Sequence, residues 1–332
     1  MRLSRERILL LVLLAAVVAV WWLAWGEVSD DLRITVLDVG QGDCILVQAP
    51  GGRTMLVDDG GRHGQEASGY DIGHEVVVPA LMARGVEKID VLVITHPHDD
   101  HIGGLPAVLA AVPVTMALDP MLESDSEAYK ALKASLKEEH VIVERASAGA
   151  RINLGRGAYA DVLNPPEPLL SGGDSDENDN SLVLRLVGGD VSVLLAADID
   201  EAGAARLAAH GEKLRSTILK VPHHGSSGAA VPEFVEAVKP QLAIISVGEN
   251  NPFGHPSEEM LRELERVGAK VMRTDRDGAI TVTVRPPKWW ARTAERQVAG
   301  ASAPAQRDTA GFGSPSAALR TGKLPKQRVG ER

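Results

Sequence analysis

Thr95-His96-Pro97-His98-Asp99-Asp100-His101-Ile102-Gly103-Gly104 follows directly on the apolar run Val91-Leu92-Val93-Ile94. A buried strand ending at Ile94 delivers a loop whose alternate positions, His96 and His98, point the same way. Asp100 and His101 come at the turn into an apolar segment that predicts a helix over 104–111, so they can reach a second position beside the first. Imidazole and carboxylate at this density suit a divalent ion such as zinc, manganese or iron. Two adjacent ions suit hydrolysis, because together they lower the pKa of a bridging water and clamp the attacking and leaving oxygens. The alternative is a polar loop whose histidines only hydrogen-bond, and the motif's place at a strand end argues against it.

Further candidate ligands follow apolar runs in the same way. Val191 to Ala197 runs into Asp198, whose two oxygens could bridge two ions; by residue preference Asp198 could equally be the N-cap of a helix over 199–209. Thr217 to Val221 runs into Pro222-His223-His224-Gly225-Ser226-Ser227, where one histidine could ligate and the other face a substrate. Two adjacent buried histidines without such a role would be costly.

These residues carry a resemblance that covers the chain from about Leu32 to Val284. The sequence resembles the metallo-β-lactamase superfamily. More narrowly, Asp38-Val39-Gly40-Gln41-Gly42-Asp43-Cys44-Ile45-Leu46-Val47, the His96 to His101 motif, Asn178-Asp179-Asn180-Ser181-Leu182, Asp198, His223-His224-Gly225-Ser226 and Gly254-His255-Pro256 look like the hydrolase domain of the ComEC/Rec2 competence proteins. The resemblance implies a four-layer αββα sandwich and two divalent metal ions, zinc or manganese. Asp100, His101, Asp198 and His224 would hold the ion of the nucleophile, a bridging hydroxide, and His96, His98 and Asp198 the other. It casts Asp100 and His223 as catalytic, with the backbone of Gly225 and Ser226 helping His223 to stabilise substrate oxygens. Many members place another metal-binding histidine before the bridging aspartate. Here only His140 stands in that interval, at the polar end of a predicted helix, and Asn180 takes the expected place. An amide oxygen is the harder and weaker donor, which tilts that side toward manganese. Asp38 and Asp58 each close an apolar run and are expected to orient ligand imidazoles, although Asp58 could also belong to an ordinary turn. His255 is expected at the substrate or as a surface loop histidine.

The frame suits this reading. With 332 residues and 44% hydrophobic content the chain can build a core. Strands are predicted at 34–39, 44–48, 54–58, 90–95, 115–118, 159–163, 182–187, 191–197, 217–221, 242–247, 270–273 and 279–284. Helices are predicted near 74–84, 104–111, 126–138, 199–209, 231–238 and 257–267. Periodicity by itself shows an α/β mixture with burial on both sheet faces. Ser171 to Asn180 has no apolar period and reads as a loop at the rim of the site. With one cysteine, Cys44, no intrachain disulfide can form.

The ends differ from this body, residues 27–285. Arg2, Arg5 and Arg7 precede an unbroken apolar run from Ile8 to Trp25, about 27 Å long as a helix, so residues 1–26 read as a transmembrane anchor with the hydrolase domain outside the cytoplasm. Trp21, Trp22 and Trp25 at the far end favour an anchor. Ala24-Trp25-Gly26 leaves open a cleaved signal and secretion. Residues 286–332 turn rich in Ala, Gly, Ser, Pro and basic groups and read as a disordered tail. Within it, Lys288-Trp289-Trp290 with Arg292 could touch a membrane or nucleic acid, or pack at the domain's end. The tail holds nine basic against three acidic residues and the first 25 residues three against one, so a net charge of −10 leaves −18 on 26–285. Such a body does not attract nucleic acid by general electrostatics.

The expected function is a metal-dependent phosphodiesterase or nuclease acting on DNA or a nucleotide. A lactam or thioester hydrolase is the second enzyme reading, and a membrane-tethered binding or DNA-uptake accessory protein the non-enzymatic one. Full competence proteins add a multi-span channel and a further domain, for which this chain has no room.

Overall fold

Leu32, Ile34 and Val36 alternate with the polar Arg33 and Thr35, whereas Leu46, Leu56 and Leu92 interrupt their strands with apolar groups on the opposite face. The first pattern makes a strand buried on one side, the second a strand buried on both. The computed structural model describes residues 13–17, 30–61, 70–173 and 175–293, and the backbone of 297–301. Its strands are β1 (Leu32–Val36), β2 (Ile45–Gln48), β3 (Thr54–Val57), β4 (Val91–Val93), β5 (Met116–Asp119), β6 (Ile142–Arg145), β7 (Arg151–Gly155), β8 (Ala158–Asn164), β9 (Val183–Gly188), β10 (Val191–Leu195), β11 (Ile218–Lys220), β12 (Leu242–Ile245), β13 (Lys270–Arg273), β14 (Ile280–Arg285), β15 (Lys288–Arg292) and β16 (Gln297–Ala301).

They form two sheets, ordered β16-β15-β14-β1-β2-β3-β4-β5-β6 and β13-β12-β11-β10-β9-β8-β7. Their inner faces share one apolar core that includes Ile34, Val47, Met55, Val93, Leu184, Val193 and Ile218. Helices Val78–Ala83, Leu105–Ala111 and Glu127–Glu138 cover the first sheet through Leu81, Val108 and Leu132. Helices Glu201–Ala208, Pro232–Val238 and Glu258–Arg266 cover the second through Leu207, Phe234 and Leu264. The layers are therefore helix, sheet, sheet, helix, as the resemblance implied.

Strand direction places the chemistry. β3 to β6 run parallel, and so do β10 to β13. The carboxyl ends of parallel strands are where such sheets collect ligand groups. Asp58 follows β3, His96 follows β4, Asp198 follows β10, His223 follows β11 and Ser246 follows β12.

Three expectations need correction. The tail does not lose regular structure at Pro286: β15 and β16 extend the first sheet, and Trp289 is 2% exposed in the core between the sheets. A low apolar content hid these strands, because one buried indole supplies what several aliphatic groups would elsewhere. Ser171 to Asn180 is not wholly loop, since Asp176–Asp179 forms a short helix. β6 and β7 had no prediction; β6 is largely exposed and lies at the sheet edge, so no apolar alternation announces it. The proposed membrane run, Ile8 to Trp25, lies outside the described residues except for a helical stretch at 13–17, and among the described residues no helix is long and apolar enough to cross a membrane.

Truncating the indole would open a cavity between the sheets. Trp289→Ala is expected to cost about 3–5 kcal/mol, read from urea unfolding of the two proteins.

Candidate metal centre

His96 and His98 leave β4 on an extended turn, and helix Asp99–Ile102 then carries Asp100 and His101 into the same crevice. Two glycines permit this packing. A Cβ on Gly42, whose φ is +125°, would overlap the Asp100 carbonyl, and one on Gly61 would overlap that of Asp99. Opposite, four non-glycine residues around the site adopt left-handed backbone, namely Asp58, Ala197, His223 and His224. Such conformations are uncommon and cluster where side-chain direction is under constraint.

Asp100, His101, Asp198 and His224 bring four donor atoms within 4.8 Å of one another. Asp198 Oδ2 lies 3.2 Å from both His101 Nε2 and His224 Nε2, and His224 Nε2 lies 3.6 Å from Asp100 Oδ2. Both imidazole nitrogens and Asp198 Oδ1 are buried without a hydrogen-bond partner. Two imidazoles and two carboxylates with orphaned, converging donors fit a divalent cation. His96 and His98 form the adjoining pair, with His96 Nε2 3.0 Å from His98 Nδ1 and the His96 ring 4.2 Å from that of His101.

Each ligand ring has an outer partner. Asp58 Oδ2 accepts from Thr95 Oγ1 at 2.6 Å and lies 2.8 Å from His101 Nδ1, which directs the other nitrogen of His101 at Asp198. His224 Nδ1 is held 2.9 Å from the Ser246 carbonyl, and His96 Nδ1 3.0 Å from Thr95 Oγ1. His98 Nε2 lies 2.9 Å from Glu177. His223 Nδ1 lies 2.8 Å from Asp200 Oδ1, and Asn178 Nδ2 donates to Asp200 Oδ2 at 3.2 Å. Lys220, 1% exposed, pairs with Asp43 and donates to the Ala197 carbonyl at 3.1 Å, with Asp198 Oδ1 at 3.7 Å.

Charge follows from this packing. Burial opposes ionisation of Asp198 and Asp100, but the imidazoles of His101 and His224 prevail and hold both carboxyls well below their usual range. Burial likewise disfavours charge on His224, yet Asp198, Asp100 and Asp43 raise it to about 9. His101 is also raised, burial being outweighed by Asp198 and Asp58. Burial and the neighbouring His101 push His96 well below its ordinary value. At His223 burial is outweighed by the Asp200 hydrogen bond, so it is raised, whereas burial plus repulsion from His224 and His223 lowers His255 to about 4.

A cavity of about 440 Å³ opens over these groups, lined among others by Gln41, Asp100, Glu177, Asn178, His223 and His255. His255 faces it with its ring 5.8 Å from that of His223 and its Nδ1 unpaired. The expected residues do not all meet there. Asn180 is not at the metal centre: its amide nitrogen donates to the Leu170 and Asp176 carbonyls and its oxygen accepts from Leu170 N–H, which ties the 170–180 segment together. The amide at the cavity is that of Asn178, whose Oδ1 is buried and unpaired. Asp38 is exposed and accepts from Gly40 N–H, touching no ligand ring. Ser226 spends its N–H on the His223 carbonyl and its hydroxyl on Gly228 N–H, so it offers no substrate-oxygen contact. Asp198 does not cap the following helix; Asp200 stands at that position. His140 is exposed beside the Glu138 carbonyl. Glu177, Asn178, Asp200, Asp43 and Lys220 were missed, and the signal available was a charged or amide group inside or next to each motif.

A family model described as the metallo-beta-lactamase superfamily matches residues 37–249. ComE operon protein 3 of Bacillus subtilis (strain 168) is 31% identical over 277 residues, 78% of this chain and 35% of that protein. Competence protein ComA of Neisseria gonorrhoeae is 30% identical, covering 76% of this chain and 32% of its own length. Recombination protein 2 of Haemophilus influenzae is 26% identical, covering 75% and 28%. The chain spans about a third of the length of these relatives.

Two outcomes follow from the geometry. Asp58→Ala frees the His101 ring and should weaken zinc or manganese binding by about 10–100-fold in equilibrium dialysis. Because the His224 value is raised, its contribution to the stability of chelator-treated protein is fully present below about pH 6.5 and is lost as pH rises through about 9. Ion binding requires the neutral ring, so affinity should rise and proton release fall over the same interval, read by calorimetry in buffers of different ionisation enthalpy.

Proposed function

From the premise that this chain belongs to the metallo-β-lactamase superfamily, we propose that it is a binuclear metal-dependent phosphodiester hydrolase, with DNA or a related nucleotide polymer as substrate. The observation that carries the proposal is the convergence of Asp100, His101, Asp198 and His224 beneath an open cavity that His223 also lines. Similarity to relatives named for competence and recombination supports a nucleic-acid substrate over a lactam or thioester.

Asp100, His101, Asp198 and His224 would hold one ion, and His96 with His98 a second beside it, zinc or manganese. Bound there, the ions supply a water of lowered pKa and positive charge beside the substrate oxygens. The residues do the rest. Asp58 and the Ser246 carbonyl fix the rings of His101 and His224, so no orientation is lost at the moment of reaction. Asp200 fixes His223 and favours its protonated form, which places a proton at the cavity wall for the departing oxygen. His255 stays neutral and contributes a polar ring without adding charge.

Localisation forms a separate part of the proposal. Three arginines ahead of the apolar run Ile8 to Trp25 support a membrane anchor that holds the domain outside the cytoplasm. N-terminal sequencing of the mature protein tests it, and a start near Glu27 would instead mean secretion.

Full-length protein loaded with manganese or zinc should hydrolyse bis-p-nitrophenyl phosphate and DNA. Asp198→Ala and His96→Ala should each fall by more than about 100-fold, beyond the effect of disturbing an outer partner. His223→Ala should lose about 10²–10⁴-fold on DNA and much less on the p-nitrophenyl ester, whose leaving group needs no proton. Faster turnover of nitrocefin than of any phosphodiester would overturn the proposal.

A further inference from the structure

The cavity over the candidate metal centre carries Asp99, Asp100 and Glu177, and no lysine or arginine among its described lining residues. A polyanionic substrate therefore finds no protein cation there to hold its flanking charges. The body as a whole is acidic, so positive charge gathered in one place stands out. A second groove, of about 420 Å³, gathers it: Arg33, Arg84, Arg285 and Arg292 line it against one carboxylate, Asp31.

This groove lies on the outer face of the first sheet, across β2, β1, β14 and β15, which pair in that order. The apolar cluster beneath the helices on that face draws on β2 to β5 and takes nothing from β1, β14 or β15. Thr35, Thr281 and Thr283 form its floor, with Thr35 Oγ1 3.0 Å from Thr281 Oγ1. Thr281, Thr283 and Arg285 repeat along β14 at about 7 Å, the spacing of alternate strand positions. Arg285 grips Asp31 through two nitrogens, at 2.7 and 2.8 Å, and Arg84 donates to the Ala80 carbonyl. A guanidinium has five N–H donors, so such pairing leaves others for a phosphate. Trp290 lies beneath Arg285, with its ring centre 5.7 Å from the guanidinium carbon. That covered ring makes a poor platform for bases and leaves phosphate contact as the groove's main offer.

β1 links the two sites. It carries Arg33 and Thr35 in the groove and runs toward the loop whose Gln41 lines the cavity. We propose that the Arg33–Arg84–Arg285–Arg292 groove binds the sugar-phosphate backbone of single-stranded nucleic acid, independent of its sequence, and leads it toward the metal centre. This rests on the proposed nucleic-acid substrate and adds where the strand is held.

The test uses full-length protein in neutral detergent, with EDTA to stop cleavage, and a fluorescent oligothymidylate titrated at several salt concentrations. Arg33→Glu with Arg292→Glu should weaken binding by at least about 10-fold and reduce the salt slope by about 2, one for each lost phosphate contact. Metal-loaded variant should hydrolyse bis-p-nitrophenyl phosphate within about twofold of the parent, since neither arginine lines the cavity. If the glutamate variant melts early, Arg33→Gln with Arg292→Gln should show the same direction. Unchanged oligonucleotide affinity in a folded variant overturns the groove. So does oligonucleotide binding too weak to measure while phosphatidylglycerol vesicles bind through the same arginines. A parent that binds the oligonucleotide through the groove yet hydrolyses no phosphodiester would sink the proposed activity and leave the groove standing.

Discussion

Asp198 is 2% exposed at the carboxyl end of β10, with Asp43, Asp58 and Asp59 buried nearby. Carboxylates so placed must be balanced by protons or cations, because burying an unpaired charge costs several kcal/mol. The protein balances Asp198 with His101 and His224 on one side and Lys220 on the other. Asp43 takes the Lys220 ammonium, and Asp58 takes His101. Asp59 is left as the least supported member: burial raises it well above the usual range, which keeps it protonated. Every ligand ring in the crevice is thus set by the need to compensate charge as much as by packing.

The sheets make that arrangement possible. Two parallel runs, β3 to β6 and β10 to β13, release their chains toward the crevice, so five segments far apart in sequence contribute to one site. The cost appears in the backbone. Asp58, Ala197, His223 and His224 all have positive φ, and each is held by hydrogen bonds that an unconstrained loop would not supply, such as His223 N–H to the Ala197 carbonyl at 3.0 Å. Lys220 reaches the same carbonyl, so it braces the turn that aims Asp198 as well as neutralising charge.

The site was legible where chemistry and spacing coincide. His96, His98, Asp100 and His101 announce themselves because four donors within six residues have few other uses, and His224 because it ends a buried run. The outer partners were less legible. Asp38 and Asp58 look alike in sequence, each closing an apolar run, yet only Asp58 lies beside an imidazole, because β3 pairs with β4 and so abuts the ligand loop. Asn178 and Asn180 stand two positions apart; the turn after helix Asp176–Asp179 directs Asn180 back onto Leu170 and leaves Asn178 at the cavity. Glu177, Asp200 and Lys220 carry no local signature at all, since charged residues in a loop, at a helix start or near a strand end are ordinary.

Sequence by itself determined the α/β alternation, burial on both sheet faces and the donor set of the His96 to His101 loop, because each follows from periodicity or local spacing. It also showed an acidic body between basic ends. Tertiary structure alone decided which carboxylate orients which ring, that Asn178 replaces Asn180 at the cavity, and that Trp289 extends the domain past Pro286. It also gathered four arginines from β1, β14, β15 and the Arg84 turn onto one sheet face. The physical reason is common to all of these: each depends on strand order and register between distant segments, which a one-dimensional pattern does not encode.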